Sequence, residues 1–98
     1  MYKDIISYQL AEGISKEHLL AIGNQIVNDW MKKQQGFISW EVNSISDTGF
    51  VDIVCWESKE DAKNAEKEMM NIPNAADWYG CYKQESITCK SVILEKEF

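Results

Sequence analysis

The chain has 98 residues, enough for one domain and too few for two, so we predict a single domain over residues 1–98. Hydrophobic residues make up 45% of the chain, which excludes a disordered tail. The formal net charge is −6, and all ten strongly basic residues are lysines. These charges argue against a nucleic-acid partner, and no apolar run approaches the roughly 20 residues of a membrane span.

The first predicted elements are a strand and a helix. Side chains alternate between two faces over residues 2–10, the period of a strand. Ser15 has the residue type and position of a helix N-cap, and apolar residues at helical spacing follow it. We therefore predict one amphipathic helix that ends in a lysine-containing turn before Gly36. In the strand, Ile6, Tyr8 and Leu10 share one face, and Ile5, Ser7 and Gln9 share the other.

A hairpin is predicted in the middle of the chain. The second strand covers residues 37–45 and carries Ile38, Trp40 and Val42 on one face. The turn after it ends in Gly49, which is expected to supply a positive φ. The third strand covers residues 50–56 and is apolar on both faces except at Asp52, so it should be central and covered on both sides.

The remaining elements are a second helix and a last strand. Ser58 is predicted to cap the second helix, which carries acidic residues in its first turn and ends at Pro73. Residues 74–82 are predicted to be an aromatic-rich connection, and the last strand lies within residues 83–96.

The element order β-α-β-β-α-β predicts an α+β, ferredoxin-like fold. Right-handed crossovers then give an antiparallel sheet with both helices on one face. The other face of the sheet would be bare, although the third strand is apolar there too. A second copy of the chain is the simplest cover, so we predict a homodimer in which two sheets pack face to face.

Two segments carry a family resemblance. Residues 35–39 (QGFIS) and 51–62 (VDIVCWESKEDA) resemble the antibiotic biosynthesis monooxygenase-like group of the dimeric α+β barrel superfamily. The resemblance implies a barrel made of two ferredoxin-like sheets and a pocket in each subunit between sheet and helices. It also implies that the protein could oxidise a small aromatic molecule without metal or flavin, so no cofactor is expected.

A haem-degrading branch of the same group also places an essential tryptophan where Trp56 stands. That branch needs an asparagine on the first strand, where this chain offers Ser7 and Gln9. It also needs a histidine on the second helix to ligate iron, and this helix has none. The resemblance therefore does not extend to haem degradation.

Trp56 is the first candidate ligand-binding residue, because a planar ligand could stack on its ring. The alternative is a core aromatic, since tryptophan buries a large area wherever it lies. The same two interpretations apply to the other predicted ligand-binding aromatics, Trp40, Trp78 and Tyr82.

Asp52 is the first candidate catalytic residue, because it is a carboxylate in an otherwise apolar strand. A buried carboxylate could act as a general base toward a phenolic proton. The alternative is an exposed sheet edge, or a salt bridge to Lys83 or Lys90. His18 could shuttle protons, but its place in the first helical turn favours a solvated side chain.

The central first strand supplies two further candidates. Tyr8 could orient or activate a substrate oxygen, and its alternative is a packed ring with a satisfied hydroxyl. Ser7 could face a pocket or an interface.

Three cysteines match no metal-binding spacing, and an odd number cannot all pair, so free thiols are expected. Cys55 and Cys89 are predicted to be small buried hydrophobes. Free thiols and the lack of a signal peptide at residues 1–4 favour the cytoplasm.

The sequence leaves two functions open. One is a cofactor-independent monooxygenase, and the other is a non-catalytic dimeric barrel that binds a small apolar molecule.

Overall fold

A computed structural model describes residues 1–98. Four strands and three α-helices follow one another in the order β-α-β-β-α-α-β. Their bounds are β1 Tyr2–Gln9, α1 Lys16–Asp29, β2 Phe37–Ser44, β3 Gly49–Trp56, α2 Lys59–Lys67, α3 Ala75–Tyr79 and β4 Thr88–Ile93, with short 3-10 turns at Met31–Lys33, Met69–Asn71 and Gln84–Ser86.

The strands form one antiparallel sheet in the order β2-β3-β1-β4. The predicted ferredoxin-like α+β fold is confirmed, and β1 and β3 are the two central strands. Helical and strand side chains share one core of 17 buried residues, which lies on a single side of the sheet. The opposite side, which we call the open face, has no element of the chain over it. None of the helices has the length and apolar character needed to cross a membrane.

Both serine N-caps are confirmed. The Ser15 hydroxyl accepts a hydrogen bond from the His18 N–H at 3.1 Å, and the Ser58 hydroxyl accepts one from the Asp61 N–H at 3.1 Å. The two helices are shorter than predicted, because each gives way to a 3-10 turn after its last regular residue. The predicted connection over residues 74–82 also contains a short helix, α3.

Two local predictions about the hairpin strands are wrong. Gly49 does not have a positive φ; its N–H instead donates to the Ser46 hydroxyl at 2.9 Å, which closes the turn without a left-handed residue. A register shift between Phe37 and Ser39 also removes Ile38 from the face of Trp40. Ile38 is 43% exposed, and Phe37 takes the helix side of the sheet. Because a bulge inserts one extra residue, the residues of β2 before it point to the opposite face from the one that regular alternation predicts.

Candidate active site

A cavity of about 350 Å³ lies between the helix side of the sheet and helices α2 and α3. Its volume is within the range of small-molecule sites. Twenty residues line it, and fourteen of them are hydrophobic. The aromatic lining consists of Trp30, Trp40, Trp56, Trp78, Tyr79 and Tyr82.

Asp52 faces this cavity from the centre of the sheet and is only 2% exposed. The Tyr8 hydroxyl donates to its Oδ1 at 2.8 Å, and the Trp40 Nε1–H donates to its Oδ2 at 3.0 Å. The alternative of an exposed edge is wrong because Asp52 is buried on an inner strand. The alternative of a salt bridge to Lys83 or Lys90 is wrong because the chain's one ion pair joins Lys63 and Glu66. The predicted buried carboxylate is therefore held by two neutral donors.

Burial raises the pKa of Asp52 to about 6, against the smaller lowering effect of the hydrogen bonds from Tyr8 and Trp40. The carboxylate is then mostly ionised at neutral pH and close to the range in which a general base works well. Burial, followed by the nearby Asp52 charge, raises the pKa of the Tyr8 hydroxyl far above its ordinary value. Tyr8 is thus a permanent hydrogen-bond donor to Asp52.

Trp56 forms part of the cavity wall and is 4% exposed. The edge of the Phe37 ring packs against it, with ring centroids 5.7 Å apart. Its Nε1–H is the one buried side-chain polar atom of the chain that lacks a hydrogen-bond partner. Buried polar groups are nearly always paired, so an unpaired donor in a cavity wall points to a ligand acceptor.

Three of the predicted ligand-binding aromatics meet at the α3 end of the cavity. The Trp78 Nε1–H donates to the Tyr82 hydroxyl, and the Trp78 ring lies 5.8 Å from that of Trp40. The ring of Tyr82 also packs on Tyr8 with centroids 4.3 Å apart. Both interpretations of these rings, core aromatic and ligand contact, therefore hold. Trp78 and Tyr82 belong to the buried core, Trp40 packs against it, and all three line the cavity.

Polar residues of β1, β4 and α2 complete the lining and were not predicted from the sequence. Asp4 Oδ1 accepts a hydrogen bond from the Ser91 hydroxyl at 2.6 Å, and Lys63 pairs with Glu66 at 3.4 Å. The alternation of β1 could have identified Asp4, because Asp4 lies on the same face as Ile6 and Tyr8.

The two cysteines that were predicted to be buried differ. Cys89 lines the cavity and is exposed, so its predicted burial is wrong, whereas Cys55 is buried as predicted.

Three of the predicted site residues do not line the cavity. Ser7 is on the open face of β1, where it pairs with Val51 and Thr88. His18 is exposed in the first turn of α1 and does not line the cavity. Tyr8 does not line the cavity either, and it reaches the site only through Asp52. No group of three or more His, Cys, Asp or Glu side chains is arranged to hold a metal ion.

No known family profile matches the chain, and no curated protein matches its sequence. Solved structures do resemble it. SnoaB from Streptomyces nogalater, a cofactor-independent oxygenase, superposes with a TM-score of 0.79 at 10% identity over 98% of this chain and 94% of that one. The monooxygenase ActVA-Orf6 of Streptomyces coelicolor, solved with the ligand nanaomycin D, gives a TM-score of 0.75 at 13% identity over 99% and 89%.

A candidate antibiotic biosynthesis monooxygenase from Chloroflexus aurantiacus is similar as well, with a TM-score of 0.68 at 14% identity over 99% of this chain and 95% of that one. Identities this low establish the fold and leave the activity open. The structural neighbours are thus antibiotic biosynthesis monooxygenase-like proteins, and the chain has their ferredoxin-like α+β fold.

Proposed function

We propose that the chain binds a planar aromatic molecule in the cavity and oxidises it with dioxygen without a metal or organic cofactor. The observation that carries this proposal is the buried Asp52 carboxylate, which faces an otherwise aromatic cavity. Two similar structures support the reaction class, since one is described as a cofactor-independent oxygenase and the other as a monooxygenase with bound nanaomycin D.

The proposed site has two polar ends on one strand. Asp52 and Trp56 lie on the same face of β3, four residues and thus about 13 Å apart along the strand. Asp52 would accept a proton from an acidic hydroxyl or C–H group of the ligand. The unpaired Trp56 Nε1–H would donate to a carbonyl or phenolate oxygen at the other end. The ligand would therefore carry an acidic group and a hydrogen-bond acceptor on a rigid aromatic frame.

The proposed reaction needs only the substrate and dioxygen. Asp52 removes the proton, and the resulting carbanion or phenolate passes one electron to dioxygen. The substrate radical and superoxide combine into a peroxide anion, which takes the proton back from Asp52 and becomes a hydroperoxide. The oxidised carbon then gives up its remaining hydrogen as the O–O bond breaks, so water leaves and a carbonyl forms. One oxygen atom enters the product and the other leaves as water, so no external reductant is used. The protein contributes the base, the orientation of the ring and the exclusion of water.

We also propose that the protein is a homodimer in which the open faces of two sheets pack together. Ile5, Val51 and Ile53 lie on this face and are only half-buried in the single chain. Covering these side chains would bury more apolar surface and stabilise a small domain.

A second candidate function is non-catalytic binding of a small apolar molecule. The observation that favours it is that each Asp52 oxygen already accepts a hydrogen bond, from Tyr8 and from Trp40. A carboxylate engaged in this way is satisfied without a substrate, and an aromatic cavity can bind without reacting.

One experiment distinguishes the oxygenase from the binding protein. Tryptophan fluorescence is followed while polycyclic phenols, quinones and haem are titrated, and dissolved oxygen is recorded in the same cuvette. Quenching with oxygen uptake supports the oxygenase. Quenching without uptake across the panel of phenols rejects the oxygenase and favours the binding protein. If no compound quenches the fluorescence, the proposed ligand site is wrong.

A further inference from the structure

The Tyr82 hydroxyl is a buried donor without an acceptor. Tyr82 is 8% exposed and lines the cavity. Its hydroxyl makes one hydrogen bond, with the Trp78 Nε1–H. An indole N–H only donates, so the hydroxyl oxygen is the acceptor in this bond and its own O–H stays free. A buried O–H that finds no acceptor in the chain points to an oxygen atom of a ligand.

Tyr82 and Trp78 pack on the two residues that hold Asp52. The Tyr82 ring lies on that of Tyr8 with centroids 4.3 Å apart, and the Trp78 ring meets that of Trp40 edge-on at 5.8 Å. Tyr8 and Trp40 are the two donors to the Asp52 carboxylate. Asp52 and Tyr82 therefore face the same end of the cavity, and no hydrogen bond joins them.

Tyr82 keeps its proton at neutral pH. Burial, followed by the nearby Asp52 charge, raises the pKa of its hydroxyl far above the ordinary value, against the lowering effect of the hydrogen bond from Trp78. The hydroxyl is thus a donor and not a base. Hydrogen bonds in a chain polarise one another, so the bond from Trp78 makes the Tyr82 O–H a stronger donor.

Asp52 and Tyr82 can act on the same ligand oxygen. A carboxylate offers about four lone-pair sites, and Tyr8 and Trp40 occupy one on each Asp52 oxygen. Asp52 can therefore still accept the proton of a phenolic hydroxyl. The oxygen of that hydroxyl then faces the free O–H of Tyr82.

We propose that Tyr82 is a second catalytic residue, which donates a hydrogen bond to the ligand oxygen from which Asp52 removes the proton. This inference rests on the oxidation in the proposed function. The O–H bond of the ligand breaks, its proton moves to Asp52, and the electron pair stays on the ligand oxygen. Tyr82 keeps its own proton and stabilises the new anion, as the donors of an oxyanion hole do. Trp78 is a positioning residue that holds the Tyr82 hydroxyl in place.

The test measures the ionisation of a bound phenol in the absence of oxygen. The probe is 4-nitro-1-naphthol, whose anion and neutral form absorb at different wavelengths. In Tyr82→Phe, the ratio of anion to neutral form in the complex should fall about 10- to 100-fold, because one charge-assisted hydrogen bond is lost. Binding of 1-nitronaphthalene, which has no hydroxyl, should be unchanged because the ring is kept. Tyr2→Phe makes the same change at a buried tyrosine outside the cavity and should leave the ratio at its wild-type value.

Two further proteins extend the test. 3-Fluorotyrosine in place of Tyr82 is a more acidic phenol of nearly the same size, so it should raise the ratio while the fold is kept. Trp78→Phe should lower the ratio, but less than Tyr82→Phe does.

Each result bears on the role of Tyr82. The same ratio in wild type, Tyr82→Phe and the fluorinated protein would overturn that role, as would equal losses of affinity for the naphthol and the nitronaphthalene. A wild-type protein that binds no nitronaphthol would overturn both the role and the proposed ligand site. A changed ratio without oxygen uptake from any phenol would keep the hydrogen bond from Tyr82 and reject only the oxidation.

Discussion

Tyr8 and Asp52 are 44 residues apart in the chain, and the Tyr8 hydroxyl donates to the Asp52 carboxylate at 2.8 Å. They are diagonal neighbours across the two central strands, because Tyr8 pairs with Phe50 and Asp52 pairs with Ile6. Diagonal side chains on one face lie about 7–8 Å apart at their backbones, a distance that a tyrosine ring spans. The antiparallel register of β1 and β3 thus places a permanent donor on the one buried carboxylate.

If Asp52 is the general base, Asp52→Asn should lower the oxidation rate by about 10²- to 10⁴-fold, because the amide does not accept the proton. Ligand binding, measured by fluorescence quenching, should fall much less. Asp47→Asn, the same change in the exposed hairpin turn, is the control. An Asp52→Asn variant that oxidises the substrate at the wild-type rate would exclude the base role.

The pKa of Asp52 also predicts the pH dependence of the reaction. Only the ionised carboxylate accepts a proton, so kcat/KM should rise with pH through about 6 and then level off. Stopped-flow oxygen uptake between pH 4.5 and 8 measures this profile. A rate that stays constant across that range would show that another group removes the proton.

The raised pKa of Asp52 also predicts that the protein is less stable to unfolding above pH 6 than below it. Burial raises the pKa of Asp52 from 3.8 to about 6, so the folded state holds this proton more tightly than the unfolded state does. This contribution to stability is complete below pH 3.8 and is lost as pH rises through about 6.

The free energy of unfolding of Asp52→Asn relative to wild type should therefore increase by roughly 2 to 3 kcal/mol between pH 4 and pH 7.5. Urea unfolding of both proteins at the two pH values measures the change. Because the difference between them isolates Asp52, an unchanged difference would mean that this carboxyl has an ordinary pKa when folded.

Trp56→Phe should weaken the binding of ligands that carry a carbonyl, because it removes the unpaired Nε1–H and keeps an aromatic wall. We expect about a tenfold loss for a polycyclic quinone, the value of one hydrogen bond. The matched hydrocarbon without oxygen should lose far less. Calorimetric titration with both ligands is the measurement, and equal losses would mean that the N–H makes no contact with the ligand.

Ile53→Asp should destroy the dimer, because it places a charge at the centre of the open face. Light scattering should then show a monomer or an unfolded chain. Ile45→Asp is the control, since Ile45 follows the end of β2 and is already 70% exposed. A wild-type-like dimer in the Ile53→Asp variant would place the interface on another surface.

The local patterns of the sequence were sufficient for most of the fold. Element order, both serine caps and the central place of β3 follow from periodicity and from residues a few positions apart. Helix ends were less well predicted, because a 3-10 turn continues the helical spacing of apolar residues. The facing of Phe37 and Ile38 could not be predicted, because the bulge between them is a property of pairing with β3.

For the candidate site, the sequence identified Asp52 and Trp56 by residue type, as a carboxylate and a large ring in a β-branched strand. It could not determine that Asp52 is held by Tyr8 and Trp40, or that the Trp56 N–H is left unpaired. It also assigned Ser7 and His18 to the site, and the structure places both elsewhere.

The sequence by itself therefore determined the elements, their order and the residues able to carry chemistry, because these depend on side-chain type and on spacing along one segment. Only the tertiary structure decided which of those residues meet. Strand register, the bulge in β2 and the packing of α3 are set by contacts between segments that are distant in the chain. Those contacts bring Tyr8 and Trp40 to the Asp52 carboxylate, which faces the cavity, and leave Ser7 on the other side of the sheet.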